Sequence, residues 1–298
     1  MNKFLKIFCI PSFIFLSVFS YSAKAQNKIL KIGAIPDQNQ EILDRRFNLL
    51  SKELSKQLNL VVKYVPVVNY LGAVTGFRTK NLDLVWFGGL TGVQARLQTP
   101  NSIVIAQREI DKEFKSVFIV NKKLKLTPTK KLSDLEKLKN FRFTFGSENS
   151  TSGRLMPEYF LNIAGVKTSE FKGNKPGFSG SHDATLALVN SGAYEVGALN
   201  KQIWEKNLKN NPKRTKNVYV FFVTPSYVDY HWLLQGDLDA KFYNGFTNKL
   251  KKAILNLNEK NPNHKKILEM FNTKKFIRSD ASQYKEIEEI GRNLKKIR

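Results

Sequence analysis

Cysteine is nearly absent from this sequence: among its 298 residues only Cys9 occurs, in the apolar stretch near the amino terminus. A disulfide-built secreted scaffold needs several cysteines, and so does a cysteine-based zinc site, so both are excluded. Histidine is scarce as well. The three histidines, His182, His231 and His264, form no pair at helical spacing, and no H-E-x-x-H motif occurs. The sequence therefore predicts neither a metal site nor a cofactor.

The first 25 residues lack the length of a membrane span. A basic start is followed by an apolar run from Ile7 to Tyr21, which Pro11 interrupts, and then by the small-x-small tripeptide Ala23-Lys24-Ala25. A span takes about 20 apolar residues. The order of these features predicts a cleaved signal peptide at residues 1–25. An exported chain without disulfides indicates a bacterial periplasm.

Acidic residues are few: 25 Asp and Glu stand against 49 Lys and Arg, for a formal net charge of +24. A basic chain with aromatic residues can bind nucleic acid. An exported protein rarely meets nucleic acid, however, so we predict no such partner. The lysine-rich composition accounts for most of the excess, and the positive field would draw small anions inward.

The sequence also lacks internal repeats, low-complexity tracts and a flexible linker. Strands and helices alternate from a strand at Ile29–Ile35 to one around Ile103–Ala106, and a second cycle runs from Ser116 to Val223. The tail from Asp239 onward is amphipathic and helical. This rhythm is typical of parallel or mixed sheets with helices on their faces.

Two α/β cycles without a linker predict two lobes joined by two crossing segments. We place the crossings near Phe114–Val117 and Val223–Ser226, and we expect the C-terminal helices to return to the first lobe. The predicted lobes are 26–115 plus 225–298, and 116–224.

The clearest candidate site begins where an aromatic strand stops at Gly146. Three hydroxyl side chains, Ser150, Thr151 and Ser152, are followed by Gly153 and an apolar helical run. The first N–H groups of a helix have no partner within it and carry its positive dipole end, so this arrangement can cradle an anion. An ordinary Ser/Thr helix cap has the same residues, and the cluster alone does not decide between the two.

Three further helix starts follow strand ends. They are the corner before Tyr70, the turn Phe87-Gly88-Gly89 and the turn Gly180-Ser181-His182. In open α/β sheets, ligands bind beyond the carboxyl ends of strands. Helix starts that converge on one cleft predict a ligand site rather than independent caps.

A secreted phosphoester hydrolase is the alternative from another class, because serine, histidine and aspartate are all present. A nucleophile elbow reads G-x-S-x-G, and the nearest match, residues 177–181, lacks the final glycine. A nucleophile is also needed only once, whereas the hydroxyl cluster offers three. We therefore predict that the protein is not an enzyme.

The sequence resembles a known family, the phosphonate/phosphite substrate-binding proteins of bacterial ABC transporters. It is most similar to members assigned to phosphite, some of which are labelled as putative selenate binders. The likeness spans most of the chain after the signal peptide. The stretches that carry it are Asn69-Tyr70, Asp83 to Leu90, Ser116 to Lys122, Asn149 to Gly153, Gly180 to Ala184, and Thr224 to Trp232.

The resemblance implies a two-lobed (type II, Venus-flytrap) α/β periplasmic binding protein. It implies a monomer that passes its ligand to a membrane permease.

The resemblance also implies roles for individual residues. Ser150, Thr151, Ser152 and Gly153 would hold phosphorus-bound oxygens through hydroxyl and N–H groups. Tyr70 and His182 would donate to the ligand, and Asp229 would come from the second crossing. Where aminoalkylphosphonate binders place an aromatic and a glutamate, this sequence aligns Phe114 and Gln202, which disfavours a ligand ammonium group.

A carboxylate such as Asp229 repels an anion unless the ligand has a proton to give. Phosphite and methylphosphonate monoanions carry a P–OH that can donate to it, whereas sulfate and selenate are fully ionised. We therefore expect phosphite or a small phosphonate, with selenate, sulfate or phosphate as alternatives. The alternative interpretation, that Asp229 caps the local backbone, remains open. The sequence leaves open which of Gln202, Phe114, Trp86 and Tyr227 line the pocket, with Trp86 expected in the core.

Overall fold

The computed structural model describes residues 28–297, so the predicted signal peptide lies outside the described residues. Within this range the strands are β1 Leu30–Ala34, β2 Val62–Tyr64, β3 Leu84–Phe87, β4 Ile103–Arg108, β5 Ser116–Asn121, β6 Phe143–Phe145, β7 Gly177–Phe178, β8 Val196–Asn200, β9 Val218–Val223, β10 His231–Leu234 and β11 Phe276–Arg278. The α-helices are α1 Gln40–Leu58, α2 Tyr70–Arg78, α3 Gly89–Gln98, α4 Met156–Ile163, α5 His182–Ser191, α6 Lys201–Asn210, α7 Pro212–Thr215, α8 Leu238–Lys241, α9 Phe246–Leu255, α10 Pro262–Met270 and α11 Lys285–Asn293.

The strands form two mixed sheets, each the centre of one lobe. The first lobe contains a six-stranded sheet in the order β11-β4-β10-β3-β1-β2, in which β10 runs antiparallel to both of its neighbours. The second lobe contains a five-stranded sheet in the order β7-β6-β8-β5-β9, in which β5 is antiparallel to β8 and β9. The predicted two-lobed α/β fold is confirmed. No helix within residues 28–297 is long and apolar enough to cross a membrane.

Apolar spacing accounts for the longest helix. In α1 the side chains of Leu43, Phe47, Leu50 and Leu54 recur every three or four residues, and each is at most 1 % exposed. The Asn39 side chain caps the start of this helix by accepting a hydrogen bond from the Glu41 N–H at 2.9 Å. The helix packs against α9 and α10, so the C-terminal helices return to the first lobe as expected.

One strand of the first sheet is not evident from the sequence. It is the central strand β10, in which Trp232 is fully buried. A strand of four residues buried on both faces shows no alternation of polar and apolar residues, so periodicity does not reveal it. Between β5 and β6 the chain forms a 3₁₀ segment, Leu132–Leu138.

The two crossing segments pair with each other. Phe114 and Tyr227 exchange two backbone hydrogen bonds of 2.8 and 3.0 Å. The Thr224 N–H donates to the Ser116 carbonyl at 3.0 Å, and the Asp229 N–H donates to the Asp111 carbonyl at 3.1 Å. The connection between the lobes is therefore a short antiparallel ribbon. It fixes the start of β5 and the Asp229 segment relative to each other.

Candidate functional site

The hydroxyl cluster starts a helix that opens with a wide π-helical turn, Thr151–Leu155, before α4. Ser150 caps this turn, because its Oγ accepts a hydrogen bond from the Gly153 N–H at 2.9 Å. Single π-turns occur frequently at functional sites. All three hydroxyl residues are buried, with 1–2 % of each exposed. The predicted cradle is therefore a closed, capped helix start rather than a surface loop.

Glycine is required at position 153 because side chains approach the backbone closely there. A Cβ atom there would lie 3.0 Å from Ser150 Oγ and 3.2 Å from His182 Cε1. Its carbonyl accepts a hydrogen bond from the Gly146 N–H at 2.9 Å, which holds the loop against the end of β6. Glycine thus brings His182 against the cradle backbone.

Ser152 connects the cradle to the crossing segments. Its carbonyl accepts a hydrogen bond from Ser116 Oγ at 2.7 Å, and that hydroxyl lies 2.5 Å from the Tyr227 hydroxyl. Phe114 packs beside Tyr227, with the ring centroids 6.0 Å apart. Tyr227 and Phe114 therefore support the cradle through Ser116, while Ser152 Oγ lies near His182.

His182 begins α5 in the second lobe and is fully buried. Its Nδ1 faces the Asn200 N–H at 3.4 Å, and a backbone N–H can only donate, so Nδ1 is unprotonated. Burial lowers the pKa of this imidazole and outweighs the opposite effect of Asp37. The ring is therefore neutral with its proton on Nε2. That nitrogen lies 3.5 Å from both Ser152 Oγ and the Tyr230 hydroxyl.

Asp229 reaches the site from the second crossing. Its Oδ1 accepts a hydrogen bond from the Gly89 N–H at 2.8 Å, at the start of α3. Its Oδ2 is buried and has no hydrogen-bond partner among residues 28–297. Burial raises the pKa of this carboxyl to about 7, although the Gly89 N–H acts in the opposite direction. Near neutral pH the group can therefore either accept or supply one proton.

Tyr70 starts α2 directly after the capping residue Asn69, whose side chain accepts from the Gly72 N–H at 2.7 Å. The phenol is buried, and its oxygen forms no hydrogen bond of ordinary geometry within the described range. Burial, followed by the charge of Asp37, raises its pKa well above the usual value, although the nearby Ser150 side chain acts to lower this pKa. The Tyr70 hydroxyl therefore stays protonated and can donate.

Thr151 lies where the two lobes touch. Its Oγ1 accepts a hydrogen bond from the Leu90 N–H of the first lobe at 3.0 Å. A Cβ atom on Gly88 would lie 3.1 Å from this oxygen and 3.3 Å from Asp229 Oδ1. The Thr151 hydroxyl also lowers the pKa of Asp229. Thr151 therefore bonds across the lobe interface, a role that the sequence did not indicate.

Sequence reasoning missed Asp37 and Tyr230 as members of this cluster. The Tyr230 hydroxyl donates to Asp37 Oδ2 at 2.9 Å, and the Asp37 carbonyl accepts from the His182 N–H at 3.1 Å. Asp37 follows the carboxyl end of β1, and the other predicted corners also follow strand ends. This position is the signal that could have identified it, although the sequence indicates only a helix-capping loop there.

Behind Asp37 lies a small cavity of about 20 Å³ lined from both lobes by Trp86, Arg46, Gln202 and Lys206, among others. A buried water needs roughly 10–15 Å³, so the cavity has room for one or two waters. Trp86 is 1 % exposed and stacks on Tyr230 with 5.6 Å between ring centroids, so it belongs to the core as expected. Gln202 lines this cavity with its Oε1 buried.

The other two histidines have structural surroundings. His231 packs against Tyr284 with ring centroids 4.1 Å apart, and burial lowers its pKa to about 3. His264 Nε2 lies 3.0 Å from Glu53 Oε1, on α1. Within residues 28–297, no group of three or more metal-ligating side chains comes together.

The arrangement suits binding rather than hydrolysis. Because the Nε2 proton of His182 points towards Ser152, the imidazole cannot take a proton from that hydroxyl as a general base would. The donors that converge are neutral hydroxyls, helix N–H groups and one neutral imidazole, beside the carboxyl groups of Asp37 and Asp229. Such a set fits a small oxyanion that carries a proton.

Two mixed sheets flanked by helices, joined by two paired crossing segments, define a type II periplasmic binding protein. A family model described as the periplasmic phosphonate substrate-binding protein of ABC transporters matches residues 32–284. The chain belongs to this family. It is therefore a periplasmic substrate-binding component of an ABC transporter and not an enzyme.

Known relatives place the chain within the family. It is 69 % identical over 294 residues to the probable ABC transporter phosphite binding protein PhnD1 of Prochlorococcus marinus strain MIT 9301, covering 99 % of both chains. It is 28 % identical to the phosphonates-binding periplasmic protein of Escherichia coli K12, covering 72 % of this chain and 65 % of the relative. The structure of the Prochlorococcus protein in complex with methylphosphonate matches with a TM-score of 0.90 and 71 % identity, covering 91 % of this chain and 100 % of that one.

Proposed function

We propose that the protein captures phosphite, or a small phosphonate such as methylphosphonate, and delivers it to a membrane permease. The observation that carries this proposal is Asp229. Its Oδ2 is buried without a partner in the described chain, in a site with several hydrogen-bond donors. While Asp229 is ionised, only an anion that still carries a proton can satisfy that oxygen while its remaining oxygens accept from the donors.

In this proposal Tyr70, Ser152 and His182 Nε2 donate to the oxygens of the ligand, together with the N–H groups at the start of the cradle helix. Ser150 and Gly153 shape that helix start, and Thr151 bonds to the first lobe beside it. Asp229 and the ligand share one proton. A ligand that is fully ionised lacks this proton, and it meets a negative charge whenever Asp229 is ionised.

We also propose a cleaved signal peptide at residues 1–25. One lobe is formed by residues 26–115 and 225–298, and the other by residues 116–224. The protein is a monomer that meets its permease in the closed state. The high similarity to the Prochlorococcus phosphite binding protein supports the ligand class.

A calorimetric titration of ligand-stripped protein tests the ligand directly. Phosphite and methylphosphonate are expected to bind one per chain, more tightly than phosphate, sulfate or selenate. A protein that takes sulfate or selenate as tightly as phosphite would contradict the role of the shared proton. A protein that takes none of the five would contradict the ligand class itself.

Replacing the carboxyl by an amide is expected to shift the two anion classes in opposite directions. In Asp229→Asn the amide oxygen still accepts the P–OH proton, but a charge-assisted bond becomes a neutral one. Phosphite and methylphosphonate should lose roughly 1–2 kcal/mol of binding free energy. Sulfate and selenate should bind better, because a repelling charge is removed and an NH₂ donor is added. Calorimetry at pH 7, where Asp229 is partly ionised and the phosphorus anions still keep part of their P–OH protons, measures both changes.

The opposite signs serve as the internal control for this variant, because general damage to the site weakens every anion. Parallel losses for phosphite and sulfate would remove the discriminating role from Asp229.

A further inference from the structure

Across the lobe interface, the helix starts of α1 and α5 face each other. The His182 N–H of α5 donates to the Asp37 carbonyl at 3.1 Å, just before α1. The next residue, Asp183, accepts a hydrogen bond on Oδ2 from the Asn39 N–H at 2.9 Å. Asn39 belongs to the first lobe and Asp183 to the second, so this bond exists only when the lobes are closed.

The electrostatics of this contact favour a carboxylate. The N-terminal end of each helix carries a partial positive charge, and two such ends repel each other as the lobes approach. The carboxylate of Asp183 lies between them and forms a charge-assisted bond to a backbone N–H. It is 7 % exposed in the closed structure. The carboxylate of Asp183 thus replaces the repulsion between the two helix ends by an attraction.

Both oxygens of Asp183 are engaged away from the ligand site. Oδ2 accepts from Asn39, and Oδ1 accepts from Arg214 Nη1 at 3.3 Å, within the second lobe. The Arg214 side chain is about half exposed. Asp183 therefore has no free oxygen for the ligand, although it directly follows His182.

We propose that Asp183 is a closure clasp, a positioning residue that sets ligand affinity by stabilising the closed lobes without touching the ligand. This inference rests on the proposed function, because it assumes that the oxyanion is held between the lobes. The apparent affinity of a ligand that binds only the closed conformer scales with the population of that conformer. Loss of the clasp should consequently raise the Kd of every ligand by the same factor.

Asp183→Ala is the main test. A hydrogen bond to a charged group corresponds to roughly a tenfold change in Kd or more, so phosphite and methylphosphonate should both bind about tenfold more weakly. The change should lie mainly in the dissociation rate, since the clasp resists reopening. Asp183→Asn retains an acceptor but not the charge, and it should give an intermediate loss. Small-angle scattering should show incomplete closure of Asp183→Ala at phosphite concentrations that close the parent.

Two variants serve as matched controls. Arg214→Ala removes the other partner of the same carboxylate and leaves the bond to Asn39, so its Kd should equal that of the parent. Asp280→Ala removes a carboxylate that accepts from the Ser282 N–H at 2.8 Å inside the first lobe. Like Asp183→Ala, this variant loses a carboxylate at a helix start, but it does not affect the lobe interface. The ligand-free melting temperatures of Asp183→Ala and Asp280→Ala should fall by similar amounts.

Three results would contradict the proposal that Asp183 is a closure clasp. The first is a parent-like Kd in Asp183→Ala. The second is a loss that differs between phosphite and methylphosphonate, which indicates direct contact with the ligand. The third is a ligand-free melting temperature far below that of Asp280→Ala, which indicates a cap of α5. If the parent binds neither phosphorus anion, the proposed function fails. The clasp is then measured in the same way with whichever of phosphate, sulfate and selenate the parent binds.

Discussion

Raising the pH from 5 to 8 is expected to destabilise the closed conformer of the protein by about 3 kcal/mol through Asp229 alone. The carboxyl has a pKa of about 7 in the folded protein and an ordinary value of 3.8. Between these two values the folded state holds one proton more than the unfolded state. The free energy of unfolding therefore falls as pH rises, by about 1.4 kcal/mol per pH unit, and levels off above the folded pKa.

The Asp229→Asn variant separates this contribution from every other titrating group. Asparagine resembles the protonated carboxyl, so the variant and the parent should have similar stability at pH 5. At pH 8 the variant should be more stable by about 3 kcal/mol, a difference of roughly 5 °C or more in melting temperature for a chain of this size. The measurement is a set of ligand-free melts at half-unit pH steps.

Asp280→Asn is the matched control for this experiment. The side chain of Ser282 holds the pKa of Asp280 below its usual value, so this group stays ionised from pH 5 to pH 8. The difference in melting temperature between Asp280→Asn and the parent should be constant from pH 5 to pH 8. A constant difference for Asp229→Asn as well would show that Asp229 is already ionised at pH 5.

The sequence predicted the helix starts of the candidate site well, because short-range rules govern them. Asn69 and Ser181 are helix caps next to Tyr70 and His182, and the strand–turn–helix corners follow from apolar runs that end in polar turns. Ligand sites beyond strand ends follow from the topology of parallel strands. Local caps and strand ends are therefore sufficient to group Tyr70, His182 and the three cradle hydroxyls at one cleft.

The contacts across the lobes could not be predicted in this way. Asn39 and Asp183 are 144 positions apart, and Leu90 and Thr151 are 61 apart. Each pair forms only when two separately folded lobes close at a particular angle, and no periodicity or cap rule encodes that angle. The burial of the Asp37 and Asp229 oxygens likewise depends on how the closed lobes meet.

Ser152→Ala is expected to weaken phosphite binding by roughly tenfold to a hundredfold. A hydrogen bond to a charged group is worth roughly 1.5–3 kcal/mol, and each 1.4 kcal/mol is about a factor of ten in Kd. Ser152 Oγ lies 3.5 Å from His182 Nε2, which is a long contact. Its other neighbour, the Tyr227 hydroxyl, keeps Ser116 Oγ as a partner, so the ligand-free protein should lose little when the Ser152 hydroxyl is removed. Calorimetry should show the loss, and the ligand-free melting temperature should stay near that of the parent.

Ser150→Ala is the informative neighbour, since the two serines are buried to a similar extent but bonded differently. Ser150 Oγ caps the cradle helix through the Gly153 N–H, so its removal should cost roughly 0.5–2 kcal/mol of ligand-free stability in addition to any loss of affinity. Ser191→Ala, at an exposed serine whose hydroxyl contacts backbone groups at the end of α5, should leave the affinity unchanged. If Ser152→Ala instead melts early and keeps the affinity of the parent, the hydroxyl supports the fold. The oxyanion would then be held by the helix N–H groups, Tyr70 and His182 alone.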